Sequence, residues 1–155
     1  MFISRIALFV SILLFGISTA KAETIGLWKT EDVQGFQKYW TTTKNGDSFA
    51  IWCNPSRSVS GTVIDIAIKG FRAPPDRSIR LIFGRSKLMH LQADKDGYVQ
   101  TNCAACADAY KVVWNRMRSG GHVAVKFDDE RYAVFSLKGA NKILTGNMCP
   151  ADFYK

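Results

Sequence analysis

The clearest pattern in the chain is an alternation from Thr62 to Lys69, where Ile64, Ile66 and Ile68 fall on one face and Val63, Asp65, Ala67 and Lys69 on the other. Successive side chains of a strand point to opposite faces, so this segment predicts a strand with one face in the core. Aromatic and β-branched runs predict further strands over Ile25 to Lys29, Gln37 to Thr42 and Phe49 to Cys53, separated by polar breaks such as Lys44-Asn45-Gly46-Asp47. Beyond Pro74-Pro75-Asp76, strands are expected over Ile79 to Phe83, Leu88 to Ala93 and Tyr98 to Thr101. They form a meander of antiparallel hairpins through Gly84-Arg85-Ser86 and Asp94-Lys95-Asp96-Gly97.

At Cys103 the period changes. Cys103, Cys106, Tyr110, Val113, Trp114 and Met117 recur at three- and four-residue steps, which predicts one principal helix over about 103–119, ended by Gly120-Gly121. Val123, Val125 and Phe127 alternate in the first strand of a last hairpin that returns over Tyr132 to Leu137, and Lys138 to Leu144 reads as a short C-terminal helix. The sum is an α+β domain with a mainly antiparallel sheet or small barrel of about eight short strands.

The N-terminus follows another logic. Arg5 precedes an apolar run from Ile6 to Ile17, and Ala20-Lys21-Ala22 supplies a small-x-small cleavage pattern, so residues 1–22 read as a secretory signal peptide. The run is too short to be read as a transmembrane segment. The full chain has 155 residues and a net charge of +8; without residues 1–22, and so without Arg5 and Lys21, 133 residues remain with 19 basic and 13 acidic side chains, net +6. Residues 23–155 are thus expected to form a single exported, periplasmic domain, large enough for its own core.

Export changes the meaning of the four cysteines, Cys53, Cys103, Cys106 and Cys149, because paired thiols in an oxidising compartment become disulfides. Spacing favours a local Cys103–Cys106 bridge, with Cys53–Cys149 tying the early strands to the tail, and the crossed pairings stay open. A loop approaching 100 residues closed by Cys53–Cys149 is worth roughly 4 to 5 kcal/mol in the chain-entropy treatment, less any native strain. Cys103-Ala104-Ala105-Cys106 also has the C-x-x-C spacing of thiol–disulfide oxidoreductases, a second functional reading. The helical period puts the pair on the apolar face, which favours a structural staple.

Other chemistry is sparsely signalled. The two histidines, His90 and His122, are not at ligand spacing from the cysteines, and neither lies in a recognised nucleophile motif. Asp94-Lys95-Asp96-Gly97 opens like a calcium loop but lacks the closing acidic residue, so a turn at Gly97 explains it better. No catalytic residue, metal site or cofactor is expected. Of the four tryptophans, Trp114 falls on the helix face and Trp40 and Trp52 within strands, so these are assigned to the core. Trp28 is the least constrained and the best candidate for ligand contact.

Charge is more informative. Lys69, Arg72, Arg77, Arg80, Arg85 and Lys87 stand against the single carboxylate Asp76, so this segment holds +5 of the +6. Guanidinium groups gathered at one edge or end of a sheet suit bidentate contact with phosphate or carboxylate. For an exported protein the matching partners are anionic envelope components or an acidic protein surface, while nucleic acid does not fit the compartment.

The order of a Cys pair before a helix, then Met117-Arg118-Ser119-Gly120-Gly121-His122-Val123-Ala124-Val125, then Phe135-Ser136-Leu137-Lys138-Gly139-Ala140, resembles the invasion-associated locus B family of small exported bacterial proteins, over roughly Tyr98 to Leu144. The resemblance implies a periplasmic or envelope-associated protein and carries over no catalytic residue. The resulting expectation is a non-enzymatic binding or accessory module using the basic 69–87 segment. An inhibitor of an envelope-attacking hydrolase is a third reading, which the basic charge disfavours for a basic lysozyme.

Overall fold

The computed structural model describes residues 25–53, 61–145 and 149–154, so the predicted signal peptide lies outside the described residues. In chain order the strands are β1 Lys29–Val33, β2 Phe36–Thr42, β3 Ser48–Cys53, β4 Val63–Ile68, β5 Phe71–Arg72, β6 Ser78–Phe83, β7 Lys87–Gln92, β8 Val99–Gln100, β9 His122–Phe127 and β10 Tyr132–Ser136. Helix α1 spans Ala104–Met117, α2 spans Ala140–Ile143, and a 3-10 turn covers Asp152–Tyr154. No helix among the described residues is long and apolar enough to cross a membrane.

The α+β expectation holds, as two open antiparallel sheets rather than a closed barrel. One has the order β1-β2-β3-β4, with β5 and β8 sharing the far edge of β4; the other has the order β10-β9-β6-β7. Among the described residues the strands number ten rather than about eight, and the two-residue β5 is the one without an expected counterpart. Two local expectations are corrected. Residues 25–27 turn instead of extending, since Gly26 takes a positive φ of 77° and donates its N–H to Thr42, and the strand starts at Lys29. The meander is also broken: β6 and β7 pair, but β8 crosses to β4 because Val99 finds its burial there.

The core lies between the sheets. Direct pairings Phe49↔Ile66 and Ile51↔Ile64 put these four on one face of the first sheet together with Ile68, and each is at most 1% exposed. They share one apolar cluster with Leu81, Val125, Phe127 and Phe135 of the second sheet, and Phe49 meets Phe135 edge-on at 5.7 Å. Full burial of each such side chain contributes about 1.5 to 3 kcal/mol. Helix α1 adds Tyr110, Val113, Trp114 and Met117 to the cluster, and Trp114 meets Tyr39 of β2 edge-on at 5.6 Å.

Two polar junctions complete the assembly. At one end, Cys149 is bridged to Cys53, the Thr62 hydroxyl donates to the Pro150 carbonyl at 2.6 Å, and the Thr101 hydroxyl donates to the Thr62 carbonyl at 2.7 Å. Asp152 accepts from the Thr62 N–H at 3.0 Å, so the tail is fastened where β4 begins and β8 ends. At the other end, Arg131 crosses from the β9–β10 turn to the first sheet. It donates to the carbonyls of Ile68, Phe71 and Arg72 at 3.2, 2.8 and 2.8 Å, while Asp129 and the Phe127 ring hold its guanidinium. Arg131→Ala is expected to destabilise the fold by about 2 to 4 kcal/mol, because it leaves carbonyls without a charged donor. Arg131→Lys should recover less than half of that, since an ammonium cannot reproduce the planar fork. Urea unfolding of the two variants checks both outcomes.

Candidate functional site

The inward demand on β3 and β4 decides what the other face of the first sheet carries. With Phe49 and Ile51 pointing in, Trp52 points out. The register then lays Glu31, Lys38, Trp52, Val63 and Gln100 in one row across β1, β2, β3, β4 and β8. A second row holds Lys29, Trp40, Ala50 and Asp65, and a third Thr42, Ser48, Ala67 and Arg72. This outer face carries the half-buried aromatic rings of Trp40 and Trp52 among the polar side chains that usually meet water.

The rings are interleaved with cations. Lys38 Nζ stands 4.7 Å from the centroid of Trp40 and 4.9 Å from that of Trp52, and Lys29 Nζ stands 4.7 Å from Trp40. Arg72 stacks over Tyr98 at 4.2 Å while its guanidinium grips Asp65 through bonds of 2.7 and 3.2 Å. The hydrogen bond to Asp65 outweighs burial and raises the Arg72 pKa above its ordinary value, so this cation is permanent. Between these groups runs an open groove of about 490 Å³, with Phe36, Trp52 and Tyr98 as apolar walls and Asp65, Arg72 and Gln100 as polar ones. A few convergent polar groups among aromatic walls are the ordinary make-up of a ligand site.

The turn at Asp94 to Tyr98 builds one wall. Gly97 has a φ of 83°, and a Cβ there would lie 2.7 Å from the Ala73 carbonyl oxygen and 2.8 Å from the Arg72 Cβ. Only glycine lets the turn press against β5 and bring Tyr98 under Arg72. Asp94 accepts from the backbone N–H groups of Asp96 and Tyr98 at 2.8 and 2.9 Å and from Gln100 at 2.6 Å. Its carboxylate is thus committed to the turn. Burial works against the charge, but the bonds from Gln100, Tyr98, Asp96 and Gly97 prevail and hold the pKa below the usual carboxylate range.

The tryptophan assignment is largely reversed. Trp28 is core: it is 4% exposed, its indole N–H donates to the Ser136 carbonyl at 3.0 Å, and its ring meets Phe49 at 5.9 Å. Trp114 is core as expected, but Trp40 and Trp52 are on the outer face. Membership of a strand says nothing about which face a residue takes, whereas the order Phe49-Ala50-Ile51-Trp52 does, because Phe49 and Ile51 claim the core and leave Trp52 outside.

The six basic residues do not form one patch. Arg72 belongs to the groove, and Lys69 sits at the adjoining β4–β5 turn. Arg80 lies on the outer face of the second sheet between Lys126 and His90, where Glu130 approaches it at 3.9 Å and pairs with Lys126. Arg77 faces Asp128 at 3.8 Å, and Arg85 and Lys87 are exposed at the β6–β7 turn. Carboxylates meet three of the six: Asp65 lies only seven positions from Arg72, while Asp128 and Glu130 come from the distant β9–β10 turn to Arg77 and Arg80. His90 and His122 are exposed in β7 and β9.

Cys103 is bridged to Cys106, with Cα atoms 5.0 Å apart, and Cys53 to Cys149, with Cα atoms 5.7 Å apart. Only half of the C-x-x-C pair meets the apolar face of the helix: Cys106, one turn before the buried Tyr110, is half-buried, while Cys103 caps the N-terminus of α1 in solvent.

The YfjT family model matches residues 26–144, and the chain belongs to that family. Comparison with curated proteins and with solved structures finds no match to either.

Two outcomes follow from this placement. Acrylamide should quench Trp40 and Trp52 and spare Trp28 and Trp114, so a Trp40→Phe, Trp52→Phe double variant should lose most of the quenchable tryptophan emission. For Asp94, whose pKa is depressed in the fold, the stabilisation is present above the unfolded carboxylate value of about 3.9 and is lost as pH falls through the lower folded value. Asp94→Asn should flatten the stability profile below about pH 4 relative to the unmodified chain, measured by thermal unfolding across pH.

Proposed function

We propose that this member of the YfjT family is an exported binding module of the bacterial envelope whose six-stranded sheet holds a glycan across its outer face without acting on it chemically. The observation that carries this reading is the groove in which the rings of Phe36, Trp52 and Tyr98 stand beside the fixed Asp65–Arg72 pair. A sugar ring offers an apolar C–H face to an aromatic wall and hydroxyls to a carboxylate, a guanidinium and an amide at its edge, and these are the groups Asp65, Arg72 and Gln100 supply. Lys29, Trp40 and Lys38 continue the same alternation beyond the groove, which suits an extended or anionic chain over a single small ring. The predicted signal peptide and the resemblance of residues 98–144 to the invasion-associated locus B family support the same periplasmic, envelope-facing reading.

An anionic envelope surface is the second ligand class, and it uses the opposite side of the molecule. On the outer face of the four-stranded sheet an apolar row of Leu88, Ile82, Ala124 and Val134, exposed at Leu88 and Val134, lies next to a row of His90, Arg80, Lys126 and the exposed Tyr132. The basic 69–87 segment contributes Arg80 on this side and Arg72 on the other, with Arg85 exposed at the β6–β7 turn.

Titration of the purified chain with soluble N-acetylhexosamine oligomers from the cell wall, followed by tryptophan fluorescence and calorimetry, tests the first reading. Trp52→Ala and Arg72→Ala should each weaken binding at least tenfold, about 1.4 kcal/mol, with the circular dichroism unchanged. The combined Arg77→Glu, Arg80→Glu, Arg85→Glu variant should bind the oligomers normally. Loss of binding to anionic vesicles in that variant, with glycan binding absent throughout, would replace the first reading by the second.

A further inference from the structure

The two disulfides sit in opposite environments. Cys53 and Cys149 are 5% and 3% exposed and join positions 96 apart, so their bridge is shielded and restrains a long stretch of chain. Cys103 is exposed, Cys106 is half-buried, and their bridge spans a separation of three. Loop-closure entropy grows with loop length, so the short bridge restrains the unfolded chain far less. Stapling is a poor account of a bridge that restrains little and meets solvent.

Its surroundings suit exchange. Cys103 is the N-cap of the 14-residue α1, and its Sγ accepts the Cys106 backbone N–H at 3.1 Å. The first turn of α1 carries no acidic residue, so no carboxylate there opposes a negative sulfur facing the helix N-terminus. Beside the bridge lies a groove of about 200 Å³ lined by Cys106, Ala105, His90, Leu91, Gln92 and Gln100. His90, Leu91 and Gln92 belong to β7, the end strand of the four-stranded sheet, whose burial pattern is mostly exposed. An unpaired strand edge is a template for an extended polypeptide, and this one borders the groove that Cys106 lines, with its bridge partner Cys103 exposed at the adjoining start of α1.

We infer that Cys103–Cys106 is an exchange-active disulfide whose substrate is a dithiol polypeptide laid in extended form along the edge of β7. A substrate thiolate attacks the exposed Cys103 Sγ and forms an intermolecular disulfide, while the Cys103–Cys106 bond breaks and its electron pair leaves on Cys106. The second substrate thiolate attacks the substrate's own sulfur in that mixed disulfide and releases Cys103 as a thiolate. Two electrons pass from the substrate, which leaves as a disulfide, to the chain. The chain ends as a dithiol, having taken up the two protons the substrate thiols gave up. This activity is independent of the glycan groove.

The test uses the oxidised chain in a dithiothreitol titration, with alkylation and peptide mass spectrometry reporting each cysteine. Cys103 and Cys106 should become alkylated at a reductant concentration at least tenfold below that needed for Cys53 and Cys149. The oxidised chain should also convert a reduced two-cysteine peptide of strand-forming sequence to its disulfide, and Cys106→Ser should trap that peptide's disulfide form as a mixed disulfide on Cys103. Opening of both bridges at the same concentration overturns the inference, as does undiminished peptide oxidation by a Cys103→Ser, Cys106→Ser double variant. The titration needs no substitution, so it decides the matter even where a variant fails to fold.

Discussion

The period-two geometry of β3 and β4 governs the rest of the molecule. Phe49, Ile51, Ile64, Ile66 and Ile68 are driven inward by the removal of apolar surface from water, and each is at most 1% exposed. A strand cannot turn one set of side chains in without turning the other set out, and slipping the register by one residue would exchange the sets. The cost of putting Ile64 or Phe49 into water therefore holds Trp52 at the surface. The aromatic outer face is a consequence of the core, and the groove inherits its rigidity.

That rigidity is reinforced at both ends of the sheet. Arg131 fastens the β9–β10 turn to three carbonyls around β5, next to Arg72. Thr62, Thr101 and Cys149 fasten the tail to the start of β4, next to Val63 and Gln100. Both fastenings flank the groove. Asp65 and Arg72 are thus held by backbone positions that are themselves tied down, so less ordering remains to be done when a ligand arrives.

Charge tells a different story from composition. A segment with +5 of the +6 net charge of residues 23–155 suggests one basic surface, yet folding sends Arg72 to one sheet and Arg80 to the other and brings a carboxylate to each, Asp65 from the neighbouring strand and Glu130 from fifty positions away. Exposed pairs of this kind add little stability, a median of roughly 0 to 1 kcal/mol. Their main effect is to cancel the field that the sequence promises. The cations that meet rings on the outer face of the first sheet, Lys29, Lys38 and Arg72, come from three different strands.

Local rules determined a good deal by themselves. The alternation at 62–69 located β4, the three- and four-residue steps after Cys103 located α1, and Gly97 marked a turn, because each depends on neighbours in the chain. The outer position of Trp52 was also legible beside Phe49 and Ile51, although strand membership alone hides it. Other features required the tertiary structure. The crossing of β8 to β4, the hydrogen bond of the buried Trp28 to Ser136 and the reach of Arg131 across the sheets join positions up to 108 residues apart, and no local pattern encodes which distant surface a segment will meet. The exposure of Cys103 belongs with them: its spacing matches the apolar stripe, but the stripe reaches the core only where other elements cover the helix, and at the first turn of α1 the Cys103 side chain is left in solvent.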